Sequence, residues 1–265
     1  MLHVLRDGCR LSYCLDGDPR APALLLANSL GTTHELWDAQ IEGLSSVLRI
    51  IRYDTRGHGS SDAPEGDYTI EMLGRDALAI LDAAGVARAH VCGLSLGGLT
   101  AMWLGVHASR RIDTLVLTST AARICDHAFW QDRIDLVRSA GLGSLAEASM
   151  GRWFTDGFRT RHPEVVAKYR RTLESCPIGG YTSCCAVLRD ADLRGEIGGI
   201  AAPSLVVAGT HDPVTPPSDA DATRARIRDA RVTVLDAAHL ANVEQADAFN
   251  SRVLAFINEK GTVHG

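Results

Sequence analysis

Residues 89–98, Ala-His-Val-Cys-Gly-Leu-Ser-Leu-Gly-Gly, carry an apolar run straight into Gly93-x-Ser95-x-Gly97 and on into a helical stretch, Leu99 to Ala108. A serine hydroxyl is a poor nucleophile unless a base can reach it, and a sharp strand-to-helix turn exposes it to one. Small neighbours let the backbone make that turn. The segment therefore asks for a strand, a tight elbow and a helix in that order, with Ser95 at the apex. A glycine-rich turn can contain a serine by chance, so the reading depends on whether an acid and a base follow in the order Ser, Asp, His.

The rest of the chain supplies the setting. Leu2–Arg6 and Cys9–Leu15, joined by Asp7-Gly8, read as a hairpin, because Asp-Gly accepts the left-handed backbone of a two-residue turn. Ala23–Ala27, Leu48–Asp54, Ala89–Cys92 and Arg111–Thr118 read as short apolar strands, and Thr69–Ala84 as an amphipathic helix closed by Gly85. Strands alternating with helices indicate a mostly parallel sheet flanked by helices, an α/β fold. From 126 to 192 the pattern changes to helical segments rich in aromatic residues and arginine, which reads as a helical cap inserted over the C-terminal edge of the sheet. Alternation then resumes with Ser204–Ala208, a helix near Pro217–Arg228, the strand Arg231–Leu235 and a last helix from Val243 to about Glu259. The domain reading is a core of residues 1–125 and 193–265 with a cap of residues 126–192.

Composition excludes several function classes. The 265 residues carry a formal net charge of -5, which gives no basic face for nucleic acid, and no apolar run has the length of a membrane span. The N-terminal residues lack a basic region followed by an apolar stretch, so the expected location is the cytoplasm. Seven cysteines without a Cys-x-x-Cys pair suggest neither a disulfide framework nor a zinc site. Lys168 and Lys260 are the only lysines, so a cation in a substrate pocket is expected to be arginine.

Asp212 follows the apolar run Leu205-Val-Val-Ala in Gly209-Thr-His-Asp212-Pro213, and His239 follows the next strand in Asp236-Ala-Ala-His239. Taken singly, Asp212 reads as a turn former before proline and His239 as a structural histidine. Together they have the chain order and strand-end placement needed for His239 to take the Ser95 proton while Asp212 fixes the imidazole tautomer. His211 and Asp236 are the nearest competitors. An oxyanion needs two N–H donors, one from the residue after the nucleophile and one from the loop after an early strand. Leu96 occupies the first position, and Leu30, within Ala27-Asn28-Ser29-Leu30-Gly31, the second. Asp54-Thr-Arg56-Gly57-His58-Gly59 reads as a structural turn without a catalytic role.

The elbow, the Asp-x-Arg-Gly-His-Gly turn, Gly-x-x-Asp-Pro and the late histidine together resemble the α/β-hydrolase fold over nearly the whole chain. Narrower segments are similar to 3-oxoadipate enol-lactonases of the bacterial β-ketoadipate pathway. They are Asn28-Ser-Leu-Gly-Thr-Thr33, Leu94-Ser-Leu-Gly-Gly-Leu-Thr100, Ser119-Thr-Ala-Ala-Arg123, Arg152-Trp-Phe-Thr155, Gly180-Tyr-Thr-Ser-Cys-Cys185 with Arg189-Asp-Ala-Asp192, and Leu235-Asp-Ala-Ala-His-Leu240. The resemblance implies hydrolysis of a small-molecule enol-lactone carrying an acetate arm, in protocatechuate and catechol breakdown, with no metal and no organic cofactor. The anionic arm needs a cationic partner, for which Arg133, one helical turn from Trp130, is the first candidate; Trp130 and Trp153 are candidate substrate-binding residues. An equal reading makes Arg133 a solvated surface arginine and the two tryptophans plain cap core. The scaffold also supports carboxylesterases, perhydrolases and carbon–carbon bond hydrolases of ring-cleavage products, and a triad-bearing small-molecule sensor is a further reading from outside the enzymes.

Overall fold

Asp7 and Gly8 turn the chain back on itself with φ of 49° and 76°, the left-handed backbone a two-residue hairpin requires. In the computed structural model, which describes residues 1–261, this turn joins β1 (Leu2–Arg6) to β2 (Cys9–Asp16) with Arg6 opposite Cys9. The remaining strands are β3 (Ala23–Ala27), β4 (Arg49–Tyr53), β5 (Ala89–Leu94), β6 (Ile112–Thr118), β7 (Ser204–Gly209) and β8 (Ala230–Leu235). They form one sheet in the order β1-β2-β4-β3-β5-β6-β7-β8, antiparallel from β1 to β4 and parallel beyond. Every residue of β3, β5 and β7 is buried, as strands covered by helices on both faces must be.

The helices outside the β6–β7 connection are α1 (Asp38–Leu44), α2 (Ile70–Ala83), α3 (Leu96–His107), α9 (Pro217–Arg224), α10 (Ala241–Glu244) and α11 (Ala246–Gly261). Between β6 and β7 the chain forms five helices and no strand: α4 (His127–Ala140), α5 (Gly143–Trp153), α6 (Asp156–Arg161), α7 (Pro163–Glu174) and α8 (Ile178–Asp190). Helix α2 begins where Thr69 caps it, the hydroxyl accepting the Met72 N–H at 3.2 Å, and ends before Gly85 at φ 69°. Among the described residues no helix is long and apolar enough to cross a membrane.

Several boundaries differ from those the sequence suggests. Helix α3 starts at Leu96, not Leu99, so the elbow glycines lie in its first turn. The last helix is broken at Gln245, whose ψ of 48° is not helical; its side-chain amide donates to the Asp236 carbonyl at 2.9 Å and holds the break. Helix α9 stops at Arg224 rather than continuing to Arg228. Helix α1, only seven residues with two buried side chains, carries too little periodicity to be seen in the sequence.

Beneath the Asp54–Gly59 turn lies a buried ion pair. Asp76 on α2 accepts both guanidinium donors of Arg56, from Nε at 2.5 Å and Nη2 at 2.7 Å, and a third from Arg6 at 2.9 Å. The fork geometry satisfies a carboxylate that would otherwise be buried alone. Helices α2 and α3 meet where Gly74 leaves room for the Trp103 indole, since a Cβ on Gly74 would enter that ring. Gly74→Ala should raise helix propensity by about 1 kcal/mol, whereas forcing a methyl into packed space costs about 1–3 kcal/mol. Because the obstructing group is a rigid indole, the second effect should dominate: the urea midpoint is expected to fall, and a rise would mean that the two helices do not pack this closely.

Candidate active site

Ser95 stands between β5 and α3 with φ 57° and ψ −113°, a conformation that costs a non-glycine residue about 1–3 kcal/mol and persists only where its surroundings enforce it. Here its N–H donates to the Thr118 carbonyl at 3.0 Å and its carbonyl accepts the Thr120 hydroxyl at 2.9 Å. The space a Cβ would need at Gly93 is filled by the Gly97 carbonyl, and at Gly97 by the Ala27 carbonyl. The two glycines let the nucleophile strand, the helix and the end of β3 meet backbone to backbone.

Asp212 and His239 follow β7 and β8 at the same edge of the sheet. His239 Nδ1 lies 2.8 Å from Asp212 Oδ2, with both side chains almost wholly buried. The other lone pairs of Asp212 are occupied: Oδ1 accepts the Val214 and Thr215 N–H groups at 2.8 and 3.1 Å, and Oδ2 also accepts the Thr215 hydroxyl at 2.7 Å. Burial works against this carboxylate, but the facing His239 charge and these donors outweigh it and hold the carboxyl below its ordinary range. The arrangement fixes one imidazole nitrogen, and the other makes no hydrogen bond among the described residues. No hydrogen bond links Ser95 Oγ to His239 among the described residues. The competing pair, His211 and Asp236, bond to each other at 2.8 Å on the exposed surface.

Leu96 opens α3, whose first N–H groups have no partner within the helix. Leu30 lies in a loop that is pinned on both sides. Asn28 bridges the Trp37 indole N–H, accepted at 2.9 Å, and the Tyr53 carbonyl, to which it donates at 2.6 Å. The Gly31 N–H donates to His58 Nε2 at 2.9 Å, while the Leu30 N–H makes no hydrogen bond among the described residues. The Asp54–Gly59 turn is thus structural, as its sequence suggests, and its task is to hold this loop. For His58 to accept at Nε2 its proton must sit on Nδ1, which faces the Arg56 carbonyl at 3.3 Å. Burial keeps the ring neutral, with a pKa pushed down to about 4.

Above the strand ends the β6–β7 helices bring their own polar groups. Arg133 stacks its guanidinium over Trp130, 5.0 Å from the ring centroid, and over Phe129 at 4.8 Å. Trp130 is buried and spends its indole N–H on the Ile124 carbonyl at 2.6 Å. Trp153 reaches the loop of Leu30: a Cβ at Gly31 would sit 3.6 Å from its ring and 3.3 Å from that of Tyr181. Arg152 was not singled out by the sequence. It is half-buried, and burial together with the nearby Arg133 charge lowers its pKa from the usual guanidinium value. Neither Arg133 nor Arg152 has a carboxylate within salt-bridge range among the described residues; Arg152 donates only to the Ser149 hydroxyl, at 3.1 Å. No cluster of three or more His, Cys, Asp or Glu side chains among the described residues could hold a metal ion.

Residues 22–246 match the α/β-hydrolase fold family. The chain is 42% identical over 245 residues to a 3-oxoadipate enol-lactonase of Acinetobacter baylyi, covering 92% of each chain. Its fold is similar to the crystal structure of an enol-lactonase from Burkholderia xenovorans, with a TM-score of 0.95, 42% identity and coverage of 97% of this chain and 100% of that one. A thermophilic esterase from Thermogutta terrifontis has a TM-score of 0.91 at 25% identity, covering 98% of this chain and 99% of that one.

The neutral His58 gives a pH signature. Unfolded, its imidazole takes a proton near pH 6.5, whereas in the fold it does so only near 4. Between those values the unfolded state binds more protons, so stability falls as pH drops through the window, by about 3 kcal/mol in all. Urea unfolding of the parent and His58→Gln from pH 7 to 4 should show the parent losing more stability over this range. Parallel curves would mean that His58 is not buried neutral.

Proposed function

Because the chain belongs to the α/β-hydrolase fold family and, within it, to the 3-oxoadipate enol-lactonases, we propose that it opens 3-oxoadipate enol-lactone to 3-oxoadipate through an acyl-enzyme on Ser95. It is an enzyme, a hydrolase of ester bonds. In this reading the core is residues 1–125 and 193–265, of which 262–265 lie outside the described residues, and residues 126–192 act as the cap that carries substrate selectivity.

In this reading His239 takes the Ser95 proton as the hydroxyl attacks the lactone carbonyl, and Asp212 stabilises the imidazolium that forms. The oxyanion rests on the Leu30 and Leu96 N–H groups. When the tetrahedral intermediate collapses, the ring C–O bond breaks and His239 returns its proton to the departing enol oxygen, which stays tethered to the acyl group; the enol then becomes the ketone. Water deprotonated by His239 cleaves the ester to Ser95. An enolate is a stabilised leaving group, so the second half-reaction limits the rate.

The observation that carries the substrate assignment is the pair of arginines, Arg133 and Arg152, both without a carboxylate partner among the described residues and both on the segment that reaches the Leu30 loop. Two half-buried guanidinium groups near one another are unfavourable until an anion joins them, and a substrate carboxylate supplies it. Trp153 and the Trp130–Arg133 stack form the walls beside it.

A panel of the enol-lactone, a neutral aryl ester and a ring-cleavage dienoate tests this assignment. The lactone should have by far the highest kcat/KM and turn over many times per enzyme molecule. Loss of either guanidinium removes a charge-assisted contact of about 1.5–3 kcal/mol, so Arg133→Ala and Arg152→Ala should each lower kcat/KM for the lactone about ten- to a hundredfold and leave the neutral ester nearly unchanged. Equal losses on both substrates would remove the arginines from the anion site. Preference for the neutral ester or the dienoate would make the chain a carboxylesterase or a carbon–carbon bond hydrolase, and a single slow turnover would make it a sensor.

A further inference from the structure

Glu244 takes no part in the mechanism above, yet three donors converge on its carboxylate. Oε1 accepts the N–H of Ala238, the residue before His239, at 2.7 Å. Oε2 accepts the Thr155 hydroxyl at 2.6 Å, and both oxygens lie 3.2 Å from the Thr155 N–H. Two backbone bonds join the same segments: the His239 N–H donates to the Arg152 carbonyl at 3.4 Å and the Leu240 N–H to the Trp153 carbonyl at 3.0 Å. A single carboxylate thus grips both the histidine loop and the α5–α6 turn, which directly follows Arg152 and Trp153 at the end of α5.

The platform beneath Glu244 is fixed independently. Asn242, fully buried two residues earlier on α10, donates to the Leu36 carbonyl at 3.0 Å and to Gln40 Oε1 at 3.1 Å, while Gln40 returns a bond to the Asn242 carbonyl at 2.7 Å. Beside Glu244 the seam between core and β6–β7 helices opens into a cavity of about 490 Å³, with Phe158 and Tyr169 on one wall and Val243 and Ala246 on the other. Apolar packing does not close the seam at this point. Across the cavity the segments are tied again by Lys168, which bonds Asp38 at 2.8 Å and Glu35 at 3.1 Å.

We propose that Glu244 is a positioning residue: it sets the separation between His239 and the Arg152–Trp153 wall, so that the base and the anion site address one substrate together. The inference rests on the roles given to His239 and Arg152 under the proposed function. Catalysis is sensitive to this separation, because a displacement of about 1 Å produced far from the chemistry can cost about a hundredfold in rate. A carboxylate is needed because it accepts on both oxygens, whereas an amide of the same shape accepts on one and must turn an NH₂ group toward either Ala238 or Thr155.

The test measures kcat and KM for the enol-lactone and for a small neutral aryl ester, together with Tm, in the parent, Glu244→Gln and Thr155→Val. Glu244→Gln should lower kcat about tenfold or more on both substrates, because His239 is displaced, and should raise KM several-fold for the lactone alone, because the anion site is displaced with it. Thr155→Val loosens only the cap side, so it should raise KM for the lactone and leave kcat for the aryl ester unchanged. A fall in Tm with all four constants of Glu244→Gln within twofold of the parent would overturn the proposal and leave Glu244 a purely structural tie. Should Glu244→Gln fail to fold, an unchanged lactone KM in Thr155→Val would overturn it equally. A parent without lactonase activity would count against the substrate assignment instead, and the aryl-ester kcat would still report whether Glu244 acts on His239.

Discussion

The backbone contact between Gly97 and Ala27 sets the geometry on which everything else depends. Where Gly97 would carry a Cβ stands the carbonyl of the last residue of β3, so the nucleophile helix is pressed directly against the strand that launches the Leu30 loop. A methyl at position 97 would push the start of α3 away from the end of β3. Beside that contact Ser95 keeps its positive φ, held by bonds to Thr118 at the end of β6 and to Thr120 just beyond it.

Around this contact, several arginines are tied to carboxylates. Arg56 and Arg6 pair with Asp76, Arg52 with Asp16 and Asp38, and Arg88 with Asp113. Arg133 and Arg152, on the helices above the strand ends, have no such partner among the described residues. The loop of Leu30 is held by a histidine that burial keeps neutral, so its support adds no charge beside the position proposed for the oxyanion. Arg133 and Arg152 thus offer positive charge where a substrate carboxylate is proposed to bind, while the donors proposed for the reacting oxygen are backbone dipoles fixed in advance.

What the sequence disclosed followed from backbone demands. Gly93-x-Ser95-x-Gly97 announces a close approach that only glycine permits, Asp7-Gly8 a left-handed turn, and Thr69 with Gly85 the two ends of α2; each lies where those demands place it. Asp212 and His239 could be named because both directly follow apolar strands, and the structure brings their side chains to 2.8 Å. Arg152 and Glu244 were illegible for the opposite reason. Arg152 lies in a recognised segment, Arg152-Trp-Phe-Thr155, but only the structure shows that it has no carboxylate partner among the described residues, and Glu244 depends on Thr155, 89 residues away. The break at Gln245 was missed because it is held by a bond to the Asp236 carbonyl rather than by glycine or proline. The bond from the Gly31 N–H to His58 turned a recognised structural turn into the support of the Leu30 loop, a link visible only in three dimensions.

Acylation of Ser95 is directly measurable, because the leaving group stays tethered to the acyl chain. Rapid mixing with the enol-lactone, acid quench and mass spectrometry of the digested protein should find the peptide containing Ser95 heavier by the mass of one whole lactone, since ring opening expels no fragment. The adduct should form before steady state, decay as substrate is consumed, and be absent in Ser95→Ala. Product appearing in the first turnover with the Ser95 peptide unmodified at every quench time, or with the adduct on another residue, would contradict the account.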